Sequence, residues 1–68
     1  MLRVDLGVRV KTWDHRYGEV IGRATWVRDS EVWVYEGRTF NGAQGPWIVR
    51  IDGFGCGYAA DDLTVLSR

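Results

Sequence analysis

The chain has only one cysteine, one proline, one histidine and one lysine among its 68 residues. A lone Cys56 excludes an internal disulfide, and Cys56 with His15 falls short of the four ligands of a structural zinc. No apolar run is long enough for a transmembrane helix. Nine basic residues against nine acidic ones leave a net charge of zero. That balance excludes a protein held to nucleic acid by bulk positive charge. The opening Met1-Leu2-Arg3-Val4-Asp5 lacks the apolar core of a signal peptide, and Leu66-Ser67-Arg68 carries no lipidation box. With a single free cysteine, these features lead us to expect a cytoplasmic protein with no membrane partner. Long helices are also not expected, because helical periodicity is weak and nine glycines are spread along the chain.

What the chain has in plenty is aromatic side chains: four tryptophans, three tyrosines and two phenylalanines. A single domain spanning 1–68 has a marginal core and usually needs a disulfide, a metal, unusually good packing or self-association. The first two being excluded, packing and association remain. Charge is split along the chain. Residues 1–28 carry six cations and three acids, and residues 29–68 the reverse, so the halves are about +3 and −3. Across interleaved strands this largely cancels; between copies it would attract head to tail.

Alternation of apolar and polar residues is the dominant pattern. It predicts a first strand at Gly7-Val8-Arg9-Val10-Lys11 and a loop over 12–17. A longer strand follows over 19–28, with Gly22 marking a bulge or bend. Asp29-Ser30 reads as a two-residue turn, and 31–36 as the returning strand. Residues 37–46 hold three glycines and the proline and read as a loop, with Phe40 able to fold back over one end of the core. A strand at 47–52 follows. Glycine at every second position of 53–57 suits a strand with one face pressed against other backbone. Residues 58–63 read as one 3₁₀ or helical turn, with Asp61 and Asp62 as its N-cap and first-turn acid, and 64–66 as the last strand. The expectation is an all-β chain: a small barrel of five or six short antiparallel strands with one 3₁₀ turn before the last.

The hairpin over 23–36 can be read residue by residue. A turn at 29–30 sets Val27 opposite Val32, Trp26 opposite Trp33 and Thr25 opposite Val34, with ion pairs Arg28 to Glu31 and Arg23 to Glu36 at the ends. One face then carries Ala24, Trp26, Trp33 and Tyr35, and the other Thr25, Val27, Val32 and Val34. Both are apolar, and a barrel has one interior. One face should therefore meet a loop or another protein. We expect the protein contact at Trp26, Trp33 and Tyr35 with Arg28 beside them.

The order of these segments resembles the SH3-like small barrels. The likeness is carried by Gly7-Val8-Arg9-Val10-Lys11, Gly18-Glu19-Val20-Ile21-Gly22, Trp47-Ile48-Val49-Arg50-Ile51-Asp52-Gly53 and residues 58–66. The pattern GxRV, GxVxG, VxxDG, xxxDLxxL is similar to KOW, Tudor and related modules of small bacterial and phage proteins. The resemblance covers most of the chain, through short motifs, and implies the fold far more than a function. The chain is also distantly similar to the plasmid-encoded type II dihydrofolate reductases, SH3-like chains that form a tetramer around a pore. In that family a Val-Gln-Ile-Tyr stretch lines the pore and binds folate and nicotinamide. Here the matching residues are Gly55-Cys56-Gly57-Tyr58, with Tyr58 alone in common. We therefore expect no reductase chemistry and no cofactor.

Three functions are weighed. The first is a non-catalytic binding and assembly module that contacts protein, including a second copy of itself. The second is a nucleic-acid module in which exposed aromatics stack on bases while Arg9, Lys11, Arg16 and Arg23 follow phosphates. The third is an oligomeric, ligand-binding pore. The Tudor likeness adds an aromatic cage for methylated cations, with Trp13, Tyr17, Trp33 and Phe54 as its candidate walls. Asp14-His15 is the one acid beside a histidine, but no nucleophile adjoins it, and Cys56 is expected to fill a thin strand. No catalytic residue and no metal ligand is assigned.

Overall fold

The computed structural model describes residues 3–67. Eight strands form: β1 (Arg9–Thr12), β2 (Tyr17–Arg23), β3 (Thr25–Val27), β4 (Val32–Tyr35), β5 (Arg38–Asn41), β6 (Trp47–Ile51), β7 (Phe54–Tyr58) and β8 (Leu63–Ser67). A 3₁₀ turn at Ala60–Asp62 joins β7 to β8. The chain is all-β, as expected, in two antiparallel sheets. One runs β7-β6-β2-β1-β8 and the other β3-β4-β5. The five-stranded sheet ends in β7 and β8 and is not closed by hydrogen bonds between them.

Each sheet has its own core. In the first, Val10, Val20, Val49, Tyr58 and Leu63 meet from all five strands, together with Val8 and Ile51. Because side chains from both edge strands reach this cluster, the sheet curls around it. The second cluster is Ala24, Phe40 and Ile48, with Ile21, Trp33 and Tyr35 packed against it. It lies between the five-stranded sheet and the inserted β3-β4-β5 layer. Successive residues of β6 serve different cores: Ile48 faces the second and Val49 the first, as strand alternation requires.

Tight turns make the short strands possible. Glu36 and Gly37 (φ 48° and 76°) join β4 to β5, and Asp52 and Gly53 (φ 50° and 83°) join β6 to β7. Both have positive φ at the two central positions, the type I′ pattern that matches strand twist. In the β1–β2 hairpin His15 (φ 65°) takes the left-handed position after a turn in which its N–H donates to the Thr12 carbonyl at 3.0 Å. His15 thus has a backbone role there.

The residue-level hairpin holds in part. Thr25 pairs with Val34, Trp26 with Trp33 and Val27 with Val32, and the β2 ladder shifts register between Val20 and Gly22, where a bulge was expected. Four expectations are corrected. Among the described residues strands number eight, not five or six, because residues 37–46 contain β5 and the strand expected over 19–28 breaks at Ala24 into β2 and β3. Phe40, on that strand, lies in the second core and not at one end of the first. The terminal ion pairs do not form: among the described residues the pairs are Arg16 with Asp14 and Arg50 with Glu19. Glu31 instead sits at φ 51° in its turn, and Arg23 lies over the Trp47 ring at 5.4 Å. Finally, the 3₁₀ N-cap is Ala59 with no side-chain cap, so Asp61 and Asp62 are both first-turn acids.

Candidate functional site

Phe40 pairs with Trp33 and is buried, so the side of β3-β4-β5 carrying Trp33 and Tyr35 faces the chain's own second core. Gly22 makes this possible: a Cβ there would collide with the Tyr35 ring, whose hydroxyl donates to the Ile21 carbonyl at 3.2 Å. The β7 glycines do the same further along. A Cβ on Gly55 would lie 3.0 Å from Ile48, and one on Gly57 would lie 3.3 Å from Phe40. Of the expected contact residues, Trp33 and Tyr35 are half-buried, whereas Trp26 (43% exposed) and Arg28 lie open. Trp26 rests against Trp33 with ring centroids 4.8 Å apart. The opposite side, with Thr25, Val27, Val32, Val34 and Thr39, faces outward by alternation.

The expected cage residues are dispersed. Trp13 lines one cleft and Tyr17 a second groove, while neither Trp33 nor Phe54 lines either one. The four basic residues also separate. Arg9 lines the second groove with Tyr17 and Arg50, and Lys11 lies over the Tyr17 ring at 5.8 Å. Arg16 belongs to the first cleft, and Arg23 covers Trp47.

The first cleft, about 590 Å³, is the larger concavity. Four parts of the fold build it. The β1–β2 turn brings Trp13, Asp14 and Arg16; the end of β5 and the loop after it bring Asn41 and Gln44; Cys56 and Tyr58 come from β7, and Asp62 from the 3₁₀ turn. Asp14 ties the β1–β2 turn to β7. It accepts hydrogen bonds from the Thr12 hydroxyl and, at 3.2 Å, from the Tyr58 hydroxyl, and it pairs with Arg16 Nε at 3.3 Å. The Thr12 hydroxyl is the largest cause holding the Asp14 carboxyl below its usual range; burial opposes it, and the backbone, Tyr58 and Arg16 reinforce it. Burial pushes the Tyr58 phenol up, and the nearby Asp14 charge adds to this, while the Thr12 contact opposes it.

The β5–β6 loop has its own ties. Gln44 Oε1 accepts from the Asn41 N–H at 2.6 Å and Asn41 Oδ1 from the Ala43 N–H at 2.9 Å. Asn41 and Gln44 were not singled out in the sequence, and Asp62 was read only as an acid of the 3₁₀ turn; the one signal for the cleft was Trp13, an apolar ring in a polar turn. Among the described residues no group of three metal-binding side chains occurs, and no helix is long and apolar enough to cross a membrane. Compared with protein-family models, curated proteins and solved structures, the chain matches none of them.

Proposed function

We propose that the chain is an SH3-like barrel serving as a cytoplasmic, non-catalytic assembly module that associates with a second copy of itself. The barrel reading is supported by the order β7-β6-β2-β1-β8, with a 3₁₀ turn linking the two edge strands around a shared core. The non-catalytic reading is supported by the residues matching the reductase stretch. Gly55 and Gly57 pack beneath Ile48 and Phe40, and the Tyr58 hydroxyl is bonded to Asp14.

The observation that carries self-association is the outward side of β3-β4-β5, with Val27, Val32 and Val34 half-exposed between Thr25 and Thr39. A flat β-branched face packs well on its own copy, sheet on sheet about 10 Å apart. Three strands of three or four residues offer on the order of 200 Å² of flat area per copy. This is well below the roughly 800 Å² per partner of a standard interface, so the association is weak and concentration-dependent. Light scattering at two concentrations tests it. The average mass should rise with concentration, and Val34→Lys should remain monomeric with its fold intact. A wild-type mass that stays monomeric at high concentration overturns the reading.

One observation favours a nucleic-acid reading as a second choice. Arg9, Tyr17 and Arg50 share the second groove, with Lys11 beside it. Binding of mixed-sequence single strands that weakens with salt would support it, and its absence at low salt would remove it.

A further inference from the structure

We infer that the cleft between the β1–β2 turn and the β5–β6 loop is a binding site for a neutral saccharide. Some of the cleft's hydrogen-bonding groups are already used within the chain. Both carboxamide oxygens, Asn41 Oδ1 and Gln44 Oε1, accept from backbone N–H groups of their own loop. What these two side chains still offer is their NH₂ groups, and so donors. Opposite them, Arg16 is held through Nε by Asp14, which leaves its terminal nitrogens as further donors. Asp62, also on the cleft, supplies a carboxylate acceptor. The cleft therefore combines fixed planar donors with an acceptor, the mixture that suits hydroxyl groups, each both donor and acceptor.

The second element is Trp13. Its side chain is 68% exposed on a short turn and lines the cleft. A flat indole beside planar polar groups matches the two sides of a pyranose ring, whose C–H face is apolar and whose edge is ringed with hydroxyls. Charge decides against the main competitor. Arg16 is the one cation among the cleft residues and pairs with Asp14, while Asp62 also lines the cleft, so a phosphate would enter a site of net negative charge. A neutral ligand meets no such opposition. The volume of about 590 Å³ admits a ring with a neighbour, so a short oligosaccharide fits better than a single sugar.

The ties that hold the loop allow a test that preserves its shape. Gln44→Glu keeps an oxygen for the Asn41 N–H, and Asn41→Asp keeps one for the Ala43 N–H, yet each removes the NH₂ donor. The full chain would be titrated with cellotriose, chitotriose and maltotriose, read by amide chemical shifts and tryptophan fluorescence. We expect saturable shifts in residues 13–16 and 41–44 with at least one of the three. Trp13→Ala, Gln44→Glu and Asn41→Asp should each weaken binding tenfold or more at unchanged thermal midpoint, while Phe54→Ala, an exposed ring outside the cleft, should not. The idea is overturned if all three sugars leave the spectra unchanged, if shifts persist in Trp13→Ala, or if only a mononucleotide or a peptide competes for these residues. Val34→Lys, which tests self-association, should retain the sugar response, so the two proposals fail independently.

Discussion

The ring of Tyr35 occupies the space in which a side chain on Gly22 would begin, and the Tyr35 hydroxyl is bonded to the carbonyl of the residue before that glycine, Ile21. One small residue on β2 thus seats the whole inserted sheet. Gly22→Ala is expected to destabilise the protein by about 1–3 kcal/mol, the usual range for overpacking. In a domain of this size that is a fall in thermal midpoint of roughly 4–8 °C per kcal/mol. Calorimetry of the variant checks it; an unchanged midpoint would mean that Tyr35 moves aside freely.

Glu36 sits at φ 48° in the β4–β5 turn, where a left-handed conformation is costly for a residue of its type. Asn tolerates that conformation and, ahead of Gly37, recreates the preferred Asn-Gly pair. Glu36→Asn should therefore stabilise by about 1 kcal/mol. Urea denaturation would show a higher midpoint with an unchanged slope. A lower midpoint would show that the Glu36 carboxylate makes a contribution larger than the backbone strain.

Asp14 and Tyr58 make stability depend on pH at both extremes. The Asp14 carboxyl is held below its ordinary 3.8, so its contribution is present above that value and is lost as pH falls through the lowered one. The Tyr58 phenol is held above its ordinary 10.0, so its contribution is complete below pH 10 and disappears as pH rises through the raised value. Thermal midpoints of the wild type and Asp14→Asn between pH 2 and 6 should differ at pH 6 and converge toward pH 2. A constant difference across that window would show that Asp14 ionisation does not matter to the fold.

Much of the fold was legible, and the exceptions have physical reasons. The pairing of Trp26 with Trp33 followed from reading Asp29-Ser30 as a two-residue turn, because the length of a hairpin turn sets the register of its strands. The strand β5 was hidden because its turn is Glu36-Gly37, and glutamate is not a turn-forming residue. The glycines and proline around it also read as irregular loop. The inward face of the hairpin was undetermined, since both faces are apolar. What decides it is space left by glycines on other strands, and no local pattern records that. The cleft depended on segments distant in sequence, so only Trp13 hinted at it.

The alternation of β6 between two cores also bears on whether the chain can be divided. Arg23 at the end of β2 pairs with Trp47 at the start of β6, so the β3-β4-β5 layer is topologically an insert between adjacent strands. It has the outline of a removable part. Yet Ile48, almost fully buried, has Phe40 and Ala24 as its partners, and the glycines at 55 and 57 leave a surface shaped to fit that layer. A shortened chain joining β2 directly to β6 would leave Ile48 in water above a strip of bare backbone. What looks like an optional module has become indispensable to the sheet that carries it.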